Sequence, residues 1–164
     1  MAPGGSKALI ATVNPATADQ EVTWRSDYTG IATVSPTGTS SASVTGVAAG
    51  ETKVYARIKD GTQEAASTIY VQGIILENTA VTINERDKYT LKYTIYGPSI
   101  KDKGVTWTSS DSSIVRVDAG YLYGIKEGKA TITAKVNGTN YTAQCEVTLS
   151  LIHISEPTRL RCIG

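Results

Sequence analysis

The feature that most constrains this chain is a pentapeptide that occurs twice. Val22-Thr23-Trp24-Arg25-Ser26 returns in the second half as Val105-Thr106-Trp107-Thr108-Ser109, and these segments hold the only two tryptophans. Apolar residues follow each Trp at matching spacings, Ile31 and Val34 in the first segment, Ile114 and Val117 in the second. A shared layout of this kind points to one structural unit used twice. At about 80 residues, each copy has room for only a modest hydrophobic core.

Within each copy, apolar and polar residues alternate over short runs bounded by Gly, Pro, Asn and Asp, the pattern of half-buried strands. In the first copy, residues 7–13 place Leu9, Ala11 and Val13 on one face, and Asn14-Pro15 ends the run. Val22 and Trp24 are expected inward on the next strand. Residues 31–34 and 43–47 read as short strands, the first closed by the turn residues Ser35-Pro36-Thr37-Gly38. Val54, Ala56 and Ile58 then share a face, and Ser67, Ile69 and Val71 are expected on the core face of the return strand. Asp60-Gly61 between those strands, and Asn137-Gly138 in the second copy, are dipeptides suited to two-residue hairpin turns, which need positive φ. The second copy repeats the plan. Leu91, Tyr93 and Ile95 lie on one face of a strand over residues 89–96; Ile132, Ala134 and Val136 answer Val54, Ala56 and Ile58; Cys145, Val147 and Leu149 answer Ser67, Ile69 and Val71. The rhythm is that of an all-β sandwich.

The copies differ at the front. Residues 74–83 form a leading strand region in the second copy that the first does not match. The expected organisation is therefore a first domain over residues 1–72 lacking its opening strand, and a complete second domain over 73–150. Gln72-Gly73 is so short a join that restricted motion between the domains is expected. An uncovered edge in the first domain is the basis for expecting that the chain starts inside a longer array. Residues 151–164 have no counterpart in the first copy; the run from Leu151 through His153 to Cys162 resembles translated adapter sequence and is expected to be a non-native tail.

The runs Thr12-Val13-Asn14-Pro15-Ala16-Thr17, Val22-Thr23-Trp24-Arg25-Ser26-Asp27 and Val44-Thr45-Gly46-Val47-Ala48-Ala49-Gly50 together resemble the group 2 bacterial immunoglobulin-like domain. Val105-Thr106-Trp107-Thr108-Ser109-Ser110-Asp111 and Gly124-Ile125-Lys126-Glu127-Gly128 are similar in the second copy. The resemblance implies tandem immunoglobulin-like Greek-key β-sandwiches, as in bacterial surface adhesins of the intimin and invasin type and in phage tail or virion proteins. It implies a non-catalytic structural or display module in an extracellular setting, the bacterial cell surface or a phage virion, with weak adhesion to cell-surface glycans. The implied partners are neighbouring immunoglobulin-like domains of the parent chain and cell-surface carbohydrate. The alternatives are a dedicated carbohydrate-binding module and an accessory domain of a secreted enzyme.

The residues themselves argue against several chemistries. A net charge of +1 with interleaved signs makes no field for nucleic acid, and no apolar run reaches the roughly 20 residues that cross a bilayer, so no membrane insertion is expected. Nucleophilic catalysis needs a base beside the nucleophile; the single histidine, His153, is in the tail, and Cys145 is expected inward, so no catalytic residue is assigned. No His and Cys cluster suits zinc. Asp19, Glu21, Asp27, Asp111 and Asp118 lack calcium-loop spacing, so no metal or cofactor is expected. Trp24 and Trp107 read as core residues. Tyrosine offers contact area with a polar tip, and Tyr121 and Tyr123, on one face by period two, are the candidate binding residues.

Overall fold

The computed structural model describes residues 1–59, 61 and 63–151. The first copy forms six strands: β1 (Ser6–Ile10), β2 (Val22–Ser26), β3 (Ala32–Pro36), β4 (Ser41–Gly46), β5 (Gly50–Ile58) and β6 (Glu64–Val71). They make two antiparallel sheets, ordered β1-β4-β3 and β2-β5-β6. Alternation decides which side chains go inside. On β5, Thr52 and Val54 are buried while Glu51 and Lys53 are exposed, and Val54 joins Ala32, Val44, Ile69 and Val71 in one core fed by both sheets. Thr52 is a buried polar residue, and its Oγ1 accepts the Tyr28 N–H at 3.1 Å, so its hydroxyl is not left unpaired.

Two expectations for this copy need correction. The strand over residues 7–13 stops at Ile10, and Ala11 bonds instead to the Ser40 carbonyl at 2.8 Å. Ser67 does not face a core; it is exposed, along with the rest of residues 64–68, because among the described residues no further strand lies beside this part of β6.

The second copy gives β7 (Gly73–Leu76), β8 (Ala80–Asn84), β9 (Lys88–Thr90), β10 (Tyr93–Tyr96), β11 (Val105–Ser109), β12 (Val115–Asp118), β13 (Tyr121–Gly124), β14 (Gly128–Val136) and β15 (Thr142–Ser150). Its sheets run β12-β13-β9, β11-β14-β15-β8 and β10-β7. β8 lies parallel to β15, with Val81 opposite Val147 and Ile83 opposite Leu149. β7 lies antiparallel to β10, with Leu76 opposite Tyr93.

The expected strand over residues 89–96 is two strands in different sheets. Leu91 is buried, and its N–H donates to the Gly120 carbonyl at 2.9 Å. After it the chain leaves β13 and takes up β7 as partner. The change of sheet ends the period-two parity, so Tyr93 is exposed rather than inward. Two hairpin turns are seen in this copy. Asn137-Gly138 reverses the chain, but not as the expected two-residue turn: positive φ falls on Gly138 alone (φ +66°), and the Val136 N–H donates to the Tyr141 carbonyl at 3.0 Å across a longer loop. Ala119 (φ +47°) and Gly120 (φ +86°) link β12 to β13, a pair of positive φ values that belongs to a type I′ turn. Of the first copy's Asp60-Gly61, Gly61 has φ +82°, while Asp60 lies outside the described residues. The tail beyond Leu151, with His153 and Cys162, lies outside them as well.

By compactness the chain divides into two units. One gathers Met1–Glu77, Lys92–Thr106 and Ala134–Ala143; the other gathers Asn78–Leu91, Trp107–Thr133 and the described residues of 144–164. In the first unit the joining residue Gln72 is tied down: its Nε2 donates to Ser99 Oγ at 2.5 Å and its Oε1 accepts from the Tyr141 hydroxyl at 3.0 Å. In the second, Leu91, Val115, Leu122, Ile132, Cys145, Val147 and Leu149 are the largest fully buried side chains among the described residues. A Cβ on Gly124 would run into the Leu149 side chain, so the bare backbone there makes room for a core leucine.

Candidate functional site

Tyr121 and Tyr123 point to the same side of β13, and the residue between them, Leu122, is fully buried on the other. Strand pairing decides what stands beside them. β9 sets Lys88 opposite Tyr123, and β12 sets Arg116 opposite Tyr123 and Asp118 opposite Tyr121. The Lys88 ammonium lies 4.6 Å from the Tyr121 ring centroid and 5.6 Å from that of Tyr123, and the Arg116 guanidinium lies 4.9 Å from the Tyr123 centroid. The result is an aromatic and cationic face, with Tyr121 exposed and Tyr123 half-buried. Such contacts are worth about 0.5–1 kcal/mol each at exposed sites. Chemically the face offers π surface together with N–H donors, the groups that meet sugar C–H faces and hydroxyls. The two cations escape a reading of spacing alone, because register across strands brings them to the rings.

The tryptophans are structural. Trp24 packs against the first core cluster, and its Nε1 is buried with no partner among the described residues. Trp107 lies close under Gly120, where a Cβ would stand 3.2 Å from its Cζ2. Both side chains are half-buried rather than enclosed.

Four of the five acidic residues considered for calcium have bonding partners, among them Glu21, which accepts from the Lys59 ammonium at 2.6 Å. Asp19 accepts the Glu21 N–H at 2.9 Å. Asp27 accepts from Arg25 at 2.9 Å and from the Tyr55 hydroxyl at 3.0 Å, while Arg25 also donates to Glu64 at 3.1 Å and stacks 3.7 Å over the Tyr55 ring. The Arg25 pKa is raised chiefly by its bond to Glu64, and the Tyr55 hydroxyl is raised chiefly by its bond to Asp27. Asp111 accepts the Ser113 hydroxyl at 2.6 Å and its N–H at 2.9 Å, which hold its carboxyl below the ordinary value. Among the described residues no three His, Cys, Asp or Glu side chains converge as a metal site would require. Cys145 is fully buried, and burial pushes its thiol pKa up, away from the thiolate that would react.

One opening was not singled out as a site by residue spacing. A cleft of about 720 Å³ runs in the first copy between residues 9–14 and residues 63–67, floored by Val22, Trp24, Val54, Ala56 and Ile58. Ile10, on its rim, is 78% exposed.

Comparison with known proteins decides the family. The model of the bacterial Ig-like domain, group 2, matches residues 1–69 and again 70–147. The chain belongs to the group 2 bacterial Ig-like family. Segments of longer proteins are also similar in sequence. An uncharacterized protein of Clostridium acetobutylicum is 33% identical over 149 residues, 85% of this chain and 15% of the relative. An alpha-L-arabinofuranosidase of Bifidobacterium longum is 38% identical over 98 residues, 59% of this chain and 9% of the enzyme. An Ig-like virion protein of Serratia phage KSP90 is 34% identical over 87 residues, 52% of this chain and 34% of that protein. The chain thus spans a minor part of each of these relatives, as a module does.

Proposed function

We propose that this group 2 Ig-like pair is a non-catalytic spacing and display module of an extracellular protein, carried on a bacterial cell surface or a phage virion. The observation that carries the reading is the double family match over residues 1–147, a minor part of much longer relatives. The likeness to a virion protein supports the phage setting. In this reading each domain, with its boundary at Gln72-Gly73, holds its neighbours in the parent chain apart, and outward faces are free to vary. Arg25, Tyr55 and Glu64 on the first copy answer to Thr108, Thr133 and Thr142 on the second, a change of surface over a conserved inward pattern.

A second reading is favoured by the arabinofuranosidase likeness: an accessory domain that keeps a catalytic domain near its polysaccharide. In either case the Tyr121 and Tyr123 face, with Lys88 and Arg116, is our proposed contact for carbohydrate, weak because the cations already occupy the rings. A glycan array and a pull-down on plant polysaccharides with the whole chain separate the readings. The spacer reading expects no saturable binding, or millimolar binding that falls at least about threefold in Tyr121→Ser, Tyr123→Ser. Micromolar binding to one polysaccharide would replace it with the accessory-domain reading. Micromolar binding untouched by the double substitution would remove the tyrosine face from either.

A further inference from the structure

The outward side of the β12-β13-β9 sheet carries two cations that no carboxylate neutralises. Arg25, Lys59, Lys92 and Lys129 each lie within ion-pair distance of a carboxylate. Lys88 and Arg116 have no such partner among the described residues and lie against tyrosine rings instead. Both side chains are exposed. They flank Tyr123 from its two sides, Lys88 on β9 and Arg116 on β12, so positive charge gathers at that end of the face. Asp118 stands opposite Tyr121 at the other end. Asp87, next to Lys88 in the chain, is bonded to Asn84, whose side-chain N–H donates to its carboxylate at 3.0 Å.

The position of these cations decides which sugars the rings can take. A tyrosine ring is negative over its face, and that is where a cation or a polarised sugar C–H binds. Lys88 and Arg116 already lie over these faces. A neutral sugar must push the cation aside and offers it only hydroxyls in return. A sugar that bears a carboxylate draws the cation off the ring into a charge-assisted hydrogen bond, about twice as strong as a neutral one. The freed face is then open to the C–H groups of the same sugar. The Lys88 ammonium ends a flexible four-carbon stem that can make this swing, and the planar Arg116 guanidinium presents parallel N–H donors that match the two oxygens of a carboxylate. In a uronate the carboxylate is bonded directly to the sugar ring, so charge and C–H face arrive together at a fixed, short separation.

Resting on the reading of the Tyr121 and Tyr123 face as a carbohydrate contact, we propose that this face selects glycans carrying uronate carboxylates over neutral glycans. One carboxylate sits at the Tyr123 end between Lys88 and Arg116, and its sugar ring extends over the tyrosines. Asp118 repels a second carboxylate from the Tyr121 end, which fixes the direction of the sugar on the sheet. The contact is weak, since each exposed ion pair contributes little, so charge sets the choice of sugar more than the strength of binding.

The test titrates the isotope-labelled whole chain with a galacturonate trisaccharide and with the galactose trisaccharide of the same linkage, following the amide resonances of Lys88, Arg116, Tyr121 and Tyr123. Millimolar binding is expected, at least about fivefold tighter for the uronate, a preference that two exposed ion pairs supply. The preference should vanish in about 0.5 M sodium chloride, which screens such pairs. It should also vanish in the Lys88→Gln, Arg116→Gln chain, which alters exposed side chains only. Equal affinity for the two sugars would overturn the proposal and leave the tyrosines as a neutral carbohydrate contact. A preference that persists in salt, or in the folded double variant, would overturn it by placing the selectivity elsewhere. No shift with either sugar would remove the carbohydrate reading of this face together with the proposal.

Discussion

A single tryptophan in each copy shows how local pattern becomes stability. Trp24 comes inward because β2 alternates and Val22, two residues earlier, is buried. Its ring then lies on the cluster of Ala32, Val44, Val54, Ile69 and Val71. Removing such a side chain takes apolar area from the protein interior and leaves a cavity that the neighbours fill only in part. Because the ring is half-buried, Trp24→Ala is expected to cost about 3 kcal/mol, the low end for a large aromatic. That loss is a large share of what holds a small domain folded. Denaturant titration followed by far-UV circular dichroism checks it; a loss below about 0.5 kcal/mol would mean that the ring contributes little to the core. The indole N–H gains nothing to offset this, since it is buried without a partner among the described residues.

At the scale of elements, turns decide where strands end, and one turn is chemically unlike the others. Asn137-Gly138 could be read from the sequence because Asn and Gly tolerate positive φ. Ala119-Gly120 is the tighter reversal, with positive φ at both residues and an alanine in the left-handed region, so nothing in its composition announced it. A left-handed L-residue with a Cβ costs roughly 1–2 kcal/mol. Ala119→Asn gives the preferred Asn-Gly pair and is expected to raise stability by about 1 kcal/mol, seen as a higher denaturation midpoint. No gain would show that the turn relaxes away from positive φ. The same turn positions the tyrosine face: Asp118 and Tyr121 are its flanking partners, and one residue more or fewer would turn Leu122 outward and the two rings inward. The break at Leu91 acts similarly. It moves the chain from β13 to β7, and the strand-wide parity drawn through Leu91, Tyr93 and Ile95 does not survive the change of sheet.

For the whole molecule, the sequence repeat and the compact units draw different outlines. The repeat sets the proposed boundary at Gln72-Gly73, whereas compactness groups 92–106 and 134–143 with the first copy. If the repeat is the folding unit, residues 73–151 alone should unfold in one cooperative transition by calorimetry, with calorimetric and van't Hoff enthalpies equal. A broad or absent transition would mean that this segment relies on Met1–Glu77, with which part of it is grouped. Alternation is a property of neighbours two residues apart, so the sequence by itself determined that the chain is all-β, that it is built twice over, and which side of β5, β13, β14 and β15 goes inside. Partners across a sheet are set by segments far apart in the chain, joined through turns and register that no short pattern encodes. Only the tertiary structure therefore decided that Lys88 and Arg116 cover the Tyr121 and Tyr123 rings, and that Ser67 stays in solvent while Cys145 is enclosed.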